Sequence, residues 1–109
     1  MIKMIYIKIH QADEGNIIAA CDESLIEQIL EEGEIYIDIK EYPEFYKGDL
    51  VDPEKYDLDV SLKELNSANI VGKESVDYMV RKGLIDEENI KYVNGIPYAH
   101  SYVIKDEKK

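Results

Sequence analysis

Nucleophilic catalysis is the first chemistry to weigh, because the chain holds one thiol, Cys21, and two imidazoles, His10 and His100. A thiol attacks as its thiolate and needs a base within hydrogen-bond reach. If residues 4–10 and 16–21 pair as a hairpin about the polar stretch 11–15, Ile9 lies opposite Ile17, Ile7 opposite Ala19 and Ile5 opposite Cys21. His10 then stands at the turn end and Cys21 at the open end, roughly 16 Å apart at about 3.3 Å per residue. That pair is rejected; His100 stays open as a base by sequence, but Cys21 on the core face reads as a small buried hydrophobe. A lone cysteine also excludes an intramolecular disulfide and a cysteine-built zinc site, and it fits a reducing cytosol.

Carboxylates crowd together at Asp49, Asp52, Glu54, Asp57 and Asp59. They lack the central glycine and terminal glutamate of a calcium loop, and Pro53 is placed to start a helix among them. A solvated acidic face is expected, with no metal and no cofactor. Neither the dinucleotide fingerprint nor the P-loop pattern is present. The nearest phosphate candidate is the stretch 68–72, Ala-Asn-Ile-Val-Gly, ahead of a predicted helix. It is distantly similar to the hairpin of helix-hairpin-helix modules, where N–H groups at a helix start hold a phosphate. Asn69 stands where such hairpins place their first glycine, and only Lys73 and Arg81 add positive charge, so a plain turn between helices is expected.

Charge is unevenly spread. The net charge is -11, and all of it falls in residues 21–60, where fourteen acids face only Lys40, Lys47 and Lys55. A basic partner surface would dock on this segment, and phosphate backbones would be repelled from it. Direct nucleic-acid binding is disfavoured, although Tyr6, Lys8, His10, Tyr36 and Lys40 would offer rings and charges on an outward sheet face. The longest unbroken apolar run, residues 17–21, is far short of the roughly 20 residues of a membrane helix, and no apolar segment follows a basic N-terminus. A cytoplasmic protein that neither spans a membrane nor carries an export signal is expected.

These residues need elements to hold them. Strict alternation makes residues 4–10 a half-buried strand, with Ile5, Ile7 and Ile9 inward. Asp22 can cap a helix reaching about Glu32, with Leu25, Ile26, Ile29 and Leu30 as its stripe and Gly33 as its stop. Residues 34–41 repeat the strand pattern, with Ile35, Ile37 and Ile39 inward. Residues 42–52 break every period. Asp52-Pro53 then opens helical structure, interrupted near Asp57, with Leu58, Leu62 and Leu65 inward. Residues 66–72 read as a turn, and residues 73–82 as a helix burying Val76, Met79 and Val80 before Gly83. Residues 89–93 and 96–104 flank Asn94-Gly95, a strong two-residue hairpin signal because both turn residues need positive φ. The expected fold is α+β in the order ββαβααββ: one domain over residues 1–104, a largely antiparallel sheet of about five strands, helices on one face, and a polar tail over 105–109.

Taken in order, residues 20–23 (Ala-Cys-Asp-Glu), 45–51 (Phe-Tyr-Lys-Gly-Asp-Leu-Val), 68–72, 83–89 (Gly-Leu-Ile-Asp-Glu-Glu-Asn) and 95–100 (Gly-Ile-Pro-Tyr-Ala-His) resemble the archaeal domain-of-unknown-function family 424. The resemblance runs from about Met4 to Val103. It implies an archaeal cytosolic protein with an α+β fold and no assigned activity. The breadth of that family among archaea implies an information-processing role attached to translation. In the family pattern a histidine and then a glutamine follow the proline, where this chain has Tyr98 and His100, so an imidazole role does not carry over.

The function expected is a non-enzymatic binding module for a protein or ribonucleoprotein. Its contact surfaces would draw on Tyr46 and Gly48 in the acidic segment and on the turns at Asn69, Gly72, Asn94, Gly95, Pro97 and Tyr98. The competing expectation is a small enzyme or ligand-binding protein whose pocket gathers Asp22, Asn69 and His100.

Overall fold

A computed structural model describes residues 3–13, 15–40, 43–58 and 65–102. Its strands are β1 (Ile5–Ala12), β2 (Gly15–Asp22), β3 (Ile29–Glu32), β4 (Ile35–Asp38), β5 (Asp49–Val51), β6 (Leu65–Val71), β7 (Lys91–Val93) and β8 (Ile96–Tyr102). The helices are α1 (Pro43–Tyr46) and α2 (Lys73–Arg81), with single 3-10 turns at Glu23–Leu25 and Glu87–Asn89. The main sheet runs β5-β1-β2-β6-β8-β7, while β3 and β4 pair separately. Every pairing is antiparallel except β2 with β6. The class is therefore α+β with a mostly antiparallel mixed sheet, and the number and order of elements differ from the expected ββαβααββ.

The central correction is that the main sheet is covered on both faces. On one side Ile5, Ile7, Ile18, Ala20, Ala68, Ile70 and Ala99 pack with Val76, Tyr78 and Met79 of α2. On the other, Ala19, Cys21, Val71, Val93 and Tyr98 pack with Leu30 of β3, Ile37 of β4 and Tyr46 of α1. The helices thus lie on opposite faces. The isoleucine rows of β1 and β4 feed two different cores rather than one.

The β1–β2 register is one residue from the expected one. Ile5 pairs with Asp22, Tyr6 with Cys21, Ile7 with Ala20 and Ile9 with Ile18, because the ladder continues to Ala12 opposite Gly15. Gly15 adopts φ 131°, which closes a shorter loop than the polar stretch suggests. A slip of one residue turns a strand's side chains to the other face. Cys21 accordingly shares a face with Tyr6, yet it is fully buried because β3, β4 and α1 cover that face.

The helix expected after Asp22 is a 3-10 turn followed by a hairpin. Glu32 pairs with Ile35 across Gly33-Glu34, and Gly33 at φ 63° takes the first turn position. Leu30 and Ile37 form a buried pair, whereas Ile29 stays 44% exposed. The apolar spacing of a helix stripe is equally that of a turn carrying Leu25 and Ile26 followed by two adjacent strand positions, Ile29 and Leu30, and sheet packing decided between them. The stretch expected as a turn, residues 66–72, is instead the central strand β6. It is buried on both faces, so it shows no alternation to read.

Other elements stand as expected. In α2 Val76 and Met79 are buried, Val80 packs at the edge of the core, and Gly83 at φ 79° ends the helix. Asn94 and Gly95 adopt φ 52° and 79°, joining β7 to β8. The helical structure expected from Asp52-Pro53 is not found over residues 52–58, where the backbone makes one turn instead, with Asp52 Oδ1 accepting the Glu54 N–H at 3.0 Å and the Asp52 carbonyl accepting from Tyr56. Leu58 points into the α2-side core. The Asp59 and Leu62 readings, the Leu65 side chain and the polar tail lie outside the described residues.

Candidate functional site

The face of the main sheet opposite α2 carries the side chains of Tyr6, Lys8 and His10 from β1, Asn69 from β6, and Tyr98 and His100 from β8. It is not the open tyrosine surface that the disfavoured single-stranded nucleic-acid reading would need. Helix α1 lies across it: Lys8 Nζ donates to the Glu44 carbonyl at 2.6 Å, and His10 stacks on Phe45 with ring centroids 4.7 Å apart. His10 Nε2 lies 2.9 Å from the Phe45 carbonyl, which only accepts, so this nitrogen carries the hydrogen. Tyr36 and Lys40 belong to the separate hairpin segment.

Between β4, α1 and β8 the chain leaves a cavity of about 310 Å³ lined by Tyr36, Ile37, Asp38, Phe45, Tyr46 and His100. Alternation on β4 turns Ile37 into the core and leaves Tyr36 and Asp38 together on the outer side, where the Tyr36 hydroxyl donates to Asp38 Oδ2 at 3.1 Å. The Phe45 and Tyr46 rings stand at 85° with centroids 5.0 Å apart, forming a corner of two aromatic planes. Burial, and then the adjacent Cys21 thiol, push the Tyr46 hydroxyl up to about 12. His100 packs edge-on against Tyr98 at 5.4 Å. Desolvation against the cavity wall, reinforced by repulsion from Lys91, lowers the imidazole pKa, so His100 is neutral near pH 7.

Cys21 is no nucleophile in this setting. Burial, and then the Asp22 carboxylate, push its thiol up to about 12, and its Sγ donates to the Asp22 carbonyl at 3.3 Å. Nor is Asp22 free for chemistry. Its carboxylate accepts from the backbone N–H groups of Glu74 and Ser75 and from the Ser75 hydroxyl at 2.8–3.1 Å, capping α2 from the end of a neighbouring strand. It lines a different cavity, with Lys3, Met4, Glu23, Ser24, Lys73 and Glu74. Asn69 and His100 are direct cross-strand neighbours. The expected pocket of Asp22, Asn69 and His100 is thus split, with Asp22 spent on the helix.

The remaining candidates fall in three places. Tyr46 joins His100 in the cavity, and Tyr98 supports it from the sheet. Gly48 serves the backbone: an added Cβ would collide with the Ile7 carbonyl and the Lys8 side chain where β5 joins β1. Gly72 donates its N–H to the Pro97 carbonyl at 2.8 Å, and the Asn94 N–H donates to Glu32 Oε1 at 2.6 Å, tying the Asn94-Gly95 turn to β3. Tyr36, Asp38 and Phe45 were not singled out as cavity residues, because the hairpin carrying the first two reads as part helix. The adjacent aromatics Phe45-Tyr46, in a stretch with no period, were the available signal. Among the described residues no group of three or more His, Cys, Asp or Glu side chains could hold a metal, and no helix is long and apolar enough to cross a membrane.

An α+β sheet protein with a hairpin and a short helix closing an aromatic cavity over one sheet face is the class these features define. Comparison with known proteins gives the family: a model described as "Protein of unknown function (DUF424)" matches residues 9–104, and the chain belongs to that family. The crystal structure of an uncharacterized conserved protein from Methanopyrus kandleri is similar over 97% of this chain and 96% of that one, with TM-score 0.74 and 22% identity. At that identity the likeness concerns the fold. No curated protein matches.

Proposed function

We propose that this cytosolic protein is a non-enzymatic binding module that docks a basic segment of a protein or ribonucleoprotein. The observation carrying this reading is that the first half of the acidic segment gathers over one sheet face. Hairpin β3–β4 and helix α1, both drawn from residues 21–60, sit together over one sheet face and enclose the aromatic cavity. Glu27, Glu31, Glu34 and Glu44 are all exposed there. Clustered carboxylates steer a basic partner and hold it in a salt-dependent way, while rings exclude water at the centre of contact. The same charge repels phosphate over about 8 Å, so in a ribonucleoprotein, such as those of translation, the docking surface is protein rather than RNA.

Affinity purification with the full chain at low and high salt tests the reading, alongside a Glu31→Lys, Glu34→Lys double variant. Basic proteins retained at low salt, released at high salt and lost with the double variant are expected. Recovery of no partner at low salt, or the same partners with the variant, would overturn it.

A further inference from the structure

We infer that the cavity between β4, α1 and β8 receives an aromatic side chain of the basic partner segment; this rests on the docking role proposed above and names its central contact. The polar groups of the lining are already committed. The Tyr36 hydroxyl and the Asp38 carboxylate hold each other at 3.1 Å and each has a further partner, so neither is left to answer a charged head. The Tyr46 hydroxyl, pushed up to about 12, stays un-ionised. Among the described residues no buried side-chain nitrogen or oxygen lacks a hydrogen bond. A polar ligand would give up its water for little return here, whereas an apolar one gains by leaving it.

What the cavity offers is ring face and hydrocarbon, from Ile37, Phe45, Tyr46 and His100. Phe45 and Tyr46 stand at 85°, so a third ring stacked on one of them meets the other edge to face. Both arrangements are favourable between aromatic groups, and an aliphatic side chain gains from neither. His10, which does not line the cavity, stacks on one face of Phe45 at 4.7 Å, and Tyr46 is buried, so the corner is built before a ligand arrives. A volume of about 310 Å³ suits one side chain rather than a large cofactor. The rim sets the kind of chain that carries the ring. Glu31, directly across the hairpin from Tyr36, and Glu44, next to Phe45, are both exposed, so they attract basic flanking residues and repel the phosphate of a nucleotide.

Titration of the full chain at low ionic strength with two peptides of equal charge tests the assignment: one carries tryptophan between two pairs of lysines, the other alanine in its place. The protein has no tryptophan, so the emission reports the peptide alone. The tryptophan peptide is expected to bind about tenfold more tightly, with a blue-shifted emission and with ring-current shifts of the His100 ring protons by NMR. Phe45→Leu keeps an apolar residue but removes the ring face. It should bring the two affinities within about twofold while leaving that of the alanine peptide unchanged. Equal binding of both peptides overturns the aromatic site and leaves the acidic docking face standing. A tryptophan preference that leaves the His100 protons unmoved, or that survives Phe45→Leu, also overturns it, since the indole then sits elsewhere. Binding of neither peptide removes both readings. Free adenosine should leave the His100 protons in place; adenosine moving them while the tryptophan peptide does not would make the cavity a nucleoside site and overturn the assignment.

Discussion

Asp22 and Gly72 are in contact at the ends of two parallel neighbouring strands, so closely that a Cβ on residue 72 would overlap the Asp22 carboxylate. The carboxylate needs that approach to reach the first turn of α2, where it accepts three hydrogen bonds. Gly72 sits at φ 109°, so it also carries a backbone conformation that other residues adopt at a cost.

Removing the cap with Asp22→Ala should lower unfolding free energy by about 1–2 kcal/mol, and Asp22→Asn by less, because an amide oxygen still accepts but the charge at the helix start is gone. Gly72→Ala should cost about 1–3 kcal/mol from strain before any collision is counted. In the Asp22→Ala background the same change should cost less, because the overlap is relieved. Urea denaturation of the four proteins in this cycle checks it, and additive costs would show that the two residues do not interact.

Tyr78 fastens residues 56–58 to α2. Its hydroxyl donates to the Tyr56 carbonyl at 2.9 Å and accepts from the Leu58 N–H at 3.0 Å, from a fully buried ring. Tyr78→Phe should destabilise the protein by about 1–3 kcal/mol, since two backbone groups lose their partner. Hydrogen exchange should quicken at the Leu58 amide more than in β6.

Cys21 should resist alkylation. A thiol pushed from 9.0 to about 12 holds about a thousandfold less thiolate at pH 8 than an unshifted one. Thiol reagents should therefore label the native protein at least that much more slowly than the urea-unfolded chain, and comparable rates would refute the burial.

His100 has its folded-state pKa below the ordinary 6.5, so folding favours the neutral ring. Its contribution to stability is present above the unfolded value and is lost as pH falls through the folded one. The titration midpoint of its ring protons by NMR should lie below 6.5, and Lys91→Gln should raise it by relieving the repulsion. A midpoint unmoved by that change would assign the shift to desolvation alone.

Short-range signals were legible in the residues themselves. The Asn94-Gly95 turn, the stop at Gly83 and the apolar stripe of α2 follow from positive φ and a 3.6-residue period, which are properties of a few neighbouring residues. The confinement of acid to residues 21–60 and the family resemblance are likewise written in the chain. The inertness of Cys21 was also legible, although the register behind the reading was off by one: both faces of the sheet are buried, so either orientation hides the thiol.

What only the tertiary structure decided is where separate segments meet. Leu25, Ile26, Ile29 and Leu30 satisfy a helix stripe, yet Leu30 pairs with Ile37 because covering the Cys21 face needs a hairpin. Asp22 is a helix cap, as its type suggests, but the helix it caps is α2, reached through the parallel pairing of β2 with β6. The cavity draws Asp38, Phe45 and His100 from three elements that share no local period. Such a site exists only once burial on both faces of the sheet has fixed which element covers which, a condition set by the whole chain and by no single stretch of it.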